Sequence, residues 1–113
     1  MSTDAALARM YRLIESRKTA DPETSYTARL FTKGSHKIAQ KLGEEGVEAA
    51  IAAVAEGHDR LVRESADVVY HLLVLWVAKG VACDEVWVEL ERRFGSATAI
   101  KELRRKGSET EKG

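Results

Sequence analysis

The sequence predicts an all-α fold. Three observations carry that expectation. Apolar residues recur at helical spacing nearly throughout, no segment alternates as a strand does, and a single Pro leaves little to interrupt a helix. Leu7, Met10, Tyr11 and Ile14 fall at i, i+3, i+4 and i+7 and predict a first helix, with Ser2, Thr3 or Asp4 as its cap. Asp21-Pro22 and the run to Thr27 read as a loop. Ser25–Phe31 reads as a short extra turn ending near Gly34. A long helix is predicted from Ser35 to Glu56, stopped by Gly57. The next runs from Asp59, its expected cap, to Lys79, with Gly80 as its stop. Asp84 is the expected cap of a last helix, from Glu85 to Arg105. Short connections make neighbours antiparallel, so the core is a helical hairpin with flanking helices. The hairpin carries Ile51, Val54, Val69, Leu72 and Trp76 on more than one side. One hairpin cannot cover them all, and pairing two would complete a four-helix bundle in a homodimer.

Composition removes several function classes. Eighteen Lys and Arg balance eighteen Asp and Glu, which argues against a general binder of nucleic acid or of an anionic membrane. One Cys excludes an internal disulfide framework and any multi-Cys metal site. The longest apolar stretch, Val68–Ala78, is broken by His71 and is too short to span a bilayer. The opening Met-Ser-Thr-Asp lacks a basic-then-apolar leader, so a cytoplasmic location is expected. Residues 1–106 are expected to form one domain, and 107–113 a polar, disordered tail.

The informative residues are acids on apolar faces. Glu45 shares its helix face with Ile38, Leu42, Ala49 and Ala52, and Glu48 lies beside it. Glu64 shares a face with Leu61, Val68, His71 and Leu75, and Asp67 borders Val74, Leu75 and Ala78. Counted from a turn at Gly57, Glu48 lies nine residues before and Glu64 seven after. Glu45 lies twelve before and Asp67 ten after. The two i,i+3 pairs should therefore face each other at one level of the hairpin. Four converging carboxylates repel one another unless a cation joins them. Oxygen ligands favour Mg²⁺ or Mn²⁺ over zinc. Pairing of the acids by Lys or Arg is the structural alternative.

A hard cation held by acids suggests a phosphate ligand. Lys33, Lys37 and Lys41 form a row running into Glu44, with Arg29 and His36 close in sequence. Cations near a helix start oppose the helix dipole. That misfit favours a phosphate role, although a solvated lysine row has the same spacing.

At this point the residues resemble a known family. Ser25–Phe31 (Ser-Tyr-Thr-Ala-Arg-Leu-Phe), Gly34–Glu45 and Glu64–Leu75 are similar to the phosphoribosyl-ATP pyrophosphatases of histidine biosynthesis, within the MazG-like all-α nucleotide pyrophosphohydrolases. The superfamily signature Glu-Glu-x-x-Glu then Glu-x-x-Asp is met by Glu44, Glu45, Glu48, Glu64 and Asp67, with fifteen residues between Glu48 and Glu64. The likeness covers about residues 25–94. Ser-Tyr-Thr-Ala-Arg-Leu-Phe and Lys-Ile-Ala-Gln-Lys narrow it to the histidine-pathway enzyme. One departure is Gly46, where family members often have Ala.

The resemblance implies hydrolysis of the α–β phosphoanhydride of phosphoribosyl-ATP to phosphoribosyl-AMP and pyrophosphate. It implies Mg²⁺ on Glu45, Glu48, Glu64 and Asp67, and a catalytic role for Glu44 in orienting or deprotonating water. Lys37, Lys41 and Lys33 become phosphate contacts, and Arg29 and Tyr26 line the nucleotide or phosphoribosyl site. It further implies a homodimer, and a functional link to a separate phosphoribosyl-AMP cyclohydrolase. Two rival functions are a house-cleaning NTP or dNTP pyrophosphohydrolase with the same acids, and a non-catalytic helical dimerisation module. His71 reads as a core or supporting histidine rather than a ligand. Cys83, Trp76 and Trp87 read as packing residues, and Lys101–Lys106 as a solvated basic helix end.

Overall fold

A computed structural model describes residues 3–95, and side chains from residue 5 onward. These residues are helical, with no strand among them. They divide into two compact units, one ending at Val81 and the other beginning at Ala82.

The first unit holds four α-helices: α1 (Thr3–Ser16), α2 (Tyr26–Lys33), α3 (Ser35–Ile51) and α4 (His58–Lys79). A 3₁₀ turn, Arg17–Thr19, follows α1. A π-helical turn, Ala52–Glu56, follows α3. The antiparallel pair α3–α4 is the main packed layer, and α4 also takes α1 and α2 against it. The core is Ile14, Ala28, Leu30, Ile38, Ala52, Leu73, Val74 and Val77. On α4 the buried Val74 and Val77 lie three residues apart with Leu73 beside them, so burial there follows the helical period. The Tyr11 hydroxyl donates to the Val81 carbonyl at 2.7 Å and ties α1 to the end of α4.

Several expectations need correction. The loop holds from Asp21 to Ser25, but the segment read as a short turn is a full two-turn helix from Tyr26. Ser25 caps α2, its Oγ accepting the Ala28 N–H at 3.1 Å, and Ala28 and Leu30 anchor it in the core. The long helix is not α-helical to Glu56: it changes to the π turn after Ile51. Asp59 is not the cap of α4. Gly57 holds that position and Asp59 lies in the first turn, where its charge suits the helix dipole. On the first helix, Met10 is exposed although it belongs to the predicted stripe.

Gly57 turns the chain with φ 99° and ψ 179°, a region that only glycine enters without strain. A Cβ there would meet no heavy atom within 4 Å, so the constraint is backbone conformation and not crowding. Gly57→Ala is therefore expected to destabilise the fold by about 1–3 kcal/mol. A urea midpoint unchanged from wild type would refute this. At the far end of α4, the Val81 N–H reaches back to the Trp76 carbonyl at 2.9 Å, a Schellman closure at Gly80.

The second unit contains α5 (Cys83–Phe94). Asp84 is not its cap. The helix begins two residues earlier than expected, at Cys83 with Ala82 in the cap position, and the Glu85 carboxylate accepts the Ala82 N–H at 2.8 Å. Arg92 and Arg93 both donate to Glu89 and pull its carboxyl down to about 2. The expected continuation to Arg105, the basic run Lys101–Lys106 and the polar tail lie outside the described residues.

Candidate functional site

The hairpin brings three acids together. Oxygens of Glu45 and Glu48 on α3 and of Glu64 on α4 lie within 4.8 Å of one another. Glu64 is 5% exposed, Glu45 is half-buried and Glu48 faces solvent. Glu64 Oε1 accepts an ion pair from Arg60 Nη2 at 3.1 Å, and Arg60 is held in turn by Glu56 through Nε at 3.1 Å. The other oxygen, Glu64 Oε2, is buried with no hydrogen-bond partner. Such an oxygen costs on the order of 1–3 kcal/mol, more when charged. Three close carboxylates with one orphaned buried oxygen are a donor set that fits a hard divalent cation. Asp67, expected in this group, is exposed and lies outside the trio. The structural alternative, pairing of the acids by cations, is met only in part, by Arg60 on one oxygen of Glu64.

The lysines line a cleft toward the start of α3. Lys33, Lys37 and Lys41 surround a space of about 290 Å³ together with Tyr26, Leu30 and Glu44. Lys33 is not on the helix of the other two. It closes α2, and Gly34 lies between. Among the described residues none of the three lysines forms an ion pair with a carboxylate. Three unpaired ammonium groups around one cleft suit an anionic ligand. Glu44 joins this cleft rather than the trio, and its Oε1 accepts the Gln40 amide N–H at 2.9 Å. Arg29 does not line the cleft. It donates to the Pro22 carbonyl at 2.9 Å, and its guanidinium lies 5.7 Å from the Tyr26 ring centre.

A family pattern for phosphoribosyl-ATP pyrophosphohydrolase matches residues 7–94, a span that holds both the acid trio and the lysine cleft. This chain belongs to the phosphoribosyl-ATP pyrophosphohydrolase family. It is 57% identical over 91 residues to a phosphoribosyl-ATP pyrophosphatase of Paramagnetospirillum magneticum, covering 80% of this chain and 84% of that protein. Another from Rhodobacter capsulatus is 54% identical over 92 residues, covering 81% and 89%. A third, from Pyrobaculum calidifontis, is 53% identical over 88 residues, covering 78% and 94%.

Within this phosphoribosyl-ATP pyrophosphohydrolase fold, sequence reasoning missed Arg60 and Leu30. Arg60 was legible in principle, since it stands four residues before Glu64 and four after Glu56. Leu30 is buried beneath the cleft, and only the true extent of α2 reveals it. His71 is a buried supporting residue, as expected, with Nδ1 donating to the Asp67 carbonyl at 2.8 Å. His36 is exposed. Burial, with Asp84 adding to it, pushes the Cys83 thiol up, away from reactivity. Among the described residues no single helix is long and apolar enough to cross a membrane.

Proposed function

We propose that this chain hydrolyses phosphoribosyl-ATP at the α–β phosphoanhydride, yielding phosphoribosyl-AMP and pyrophosphate in histidine biosynthesis. The carrying observation is the acid trio with its orphaned Glu64 oxygen, set beside three unpaired lysines. Glu45, Glu48 and Glu64 would hold Mg²⁺ or, in its place, Mn²⁺, with Asp67 outside the trio one turn along α4. A bound hard cation neutralises charge on phosphate oxygens. Lys37 and Lys41, one turn apart on α3, pair with phosphate oxygens as ammonium point charges. Lys33 adds a third from α2. Glu44 orients or deprotonates the attacking water at the rim of the cleft. Tyr26 borders the nucleotide, and Arg29, outside the cleft lining, supports it with its guanidinium 5.7 Å from the ring centre.

Val47 and Ile51 on α3, Val54 in the π turn, and Val62 and Val69 on α4 form exposed apolar rows at helical spacing. A second copy covers these rows in a homodimer. The product passes to a phosphoribosyl-AMP cyclohydrolase, and the enzyme works in the cytoplasm.

The test is pyrophosphate release across a nucleotide panel, with and without Mg²⁺. Release from phosphoribosyl-ATP and not from ordinary NTPs supports the proposal. Preference for dNTPs favours a house-cleaning pyrophosphohydrolase, and no hydrolysis of any nucleotide favours a non-catalytic module. In the same assay Lys37→Ala and Lys41→Ala are each expected to raise KM about tenfold, the scale of one charge-assisted hydrogen bond. An unchanged KM in both variants would remove the lysines from phosphate binding.

A further inference from the structure

The cleft has an aromatic wall that phosphate binding leaves unused. Tyr26 lines it beside the lysines and is 43% exposed. Behind that ring lies a part-buried cluster around His71. His71, 4% exposed, donates through Nδ1–H to the Asp67 carbonyl. That bond leaves Nε2 as an acceptor, and the Tyr26 hydroxyl stands 3.5 Å from it. The imidazole is edge-on to the Tyr26 ring, at 82° and 6.4 Å, and to the Tyr70 ring, at 77° and 5.0 Å. Tyr70 stacks on Tyr26 with ring centres 6.3 Å apart. The Tyr70 hydroxyl is bonded to the Thr27 hydroxyl, and burial pushes it up, away from ionisation.

A leucine at position 71 would fill this space without the cost of burying two ring nitrogens. The histidine instead spends both nitrogens on geometry: one fixes the ring to α4, and the other faces the cleft tyrosine. Tyr26 begins α2, on an element separate from His71, so its direction is set by this cross-helix packing and by Ser25.

We propose that Tyr26 is the wall of the cleft against which a nucleotide base packs, and that His71 is the positioning residue for Tyr26. The proposal rests on reading the cleft as a nucleotide site. Its ligand class is a nucleotide whose phosphates meet the lysines and whose base lies on the tyrosine. Every base has a π-face, and stacking on an aromatic side chain is worth roughly tenfold or more in affinity.

The test compares two probes by calorimetry, each as its Mg²⁺ complex: ATP, and inorganic tripolyphosphate, which has the phosphates without the base. Wild type is expected to bind ATP about tenfold more tightly than tripolyphosphate. Tyr26→Leu loses that preference while its affinity for tripolyphosphate stays at the wild-type value. Tyr26→Phe, which keeps the ring, retains most of it. His71→Leu loses about the same factor, and the double variant loses no more than Tyr26→Leu alone. A merely structural histidine would weaken both probes alike. Should His71→Leu melt below the assay temperature, His71→Gln is read in its place. No preference in wild type, full preference in the His71 variant, or losses that multiply in the double variant would each overturn the proposal. Wild-type turnover of phosphoribosyl-ATP is scored separately, so its absence would sink the hydrolase reading and leave this binding comparison intact.

Discussion

Glu64→Gln should lower kcat/KM by about a thousandfold, the scale of losing one group that meets developing charge, while leaving the metal-free fold at least as stable as wild type. The two halves of that expectation have one cause. Glu64 is the buried member of the trio and carries the orphaned oxygen. Glutamine keeps its shape but removes one of three negative charges within 4.8 Å. Its amide oxygen still accepts from Arg60, and its amide nitrogen donates to the remaining acids. Repulsion among the metal-free acids therefore falls, whereas affinity for a divalent cation collapses. Thermal melts with and without Mg²⁺ separate the effects: wild type gains stability on adding the ion by mass action, and the variant does not. Undiminished pyrophosphate release by Glu64→Gln, or a large loss of metal-free stability, would be fatal to the assignment.

The second large effect concerns assembly. Ile51→Glu and Val69→Glu should each convert a dimer to a monomer. Both residues are exposed in the single chain, at 47% and 42%, so neither change disturbs the hairpin core. In a two-fold interface each substitution appears twice, and an unpaired buried carboxylate costs several kcal/mol. A rise in dimer dissociation constant of a thousandfold or more follows, on the order of 4 kcal/mol. Sedimentation equilibrium at micromolar concentration reads it directly. A wild-type chain that sediments as a monomer there would dismiss the dimer.

Much of this molecule can be read without coordinates, and the failures have physical reasons. Gly57 and Gly80 mark both ends of α4 because each takes a positive φ, and the hairpin follows from them. The convergence of Glu45, Glu48 and Glu64 follows from counting outward from the turn. Asp67 does not join them: its side chain is one methylene shorter than a glutamate's, and it lies exposed nearly one turn on from Glu64. Counting residues places Cα atoms at one level and says nothing of side-chain reach. α2 escapes notice because eight residues hold too few apolar repeats to show a period, and its cap is a lone serine. The π turn leaves no trace in composition, since Ala-Ala-Val-Ala-Glu suits an α-helix equally well. The helix-start errors at Asp59 and Asp84 share a cause: an acid in the first turn gains from the dipole as it would at the cap, so residue type alone does not separate the two positions.

Gly34 has a consequence beyond separating two helices. Lys37 and Lys41 ride on one rigid rod, so the spacing of their backbone anchors cannot change. Lys33 stands on the other side of a backbone joint with φ 89° and ψ 167°. The cleft thus resembles a caliper with two teeth on one rod and a third on another, the gap between them set by the burial of Leu30 and Ile38 on either side of the joint.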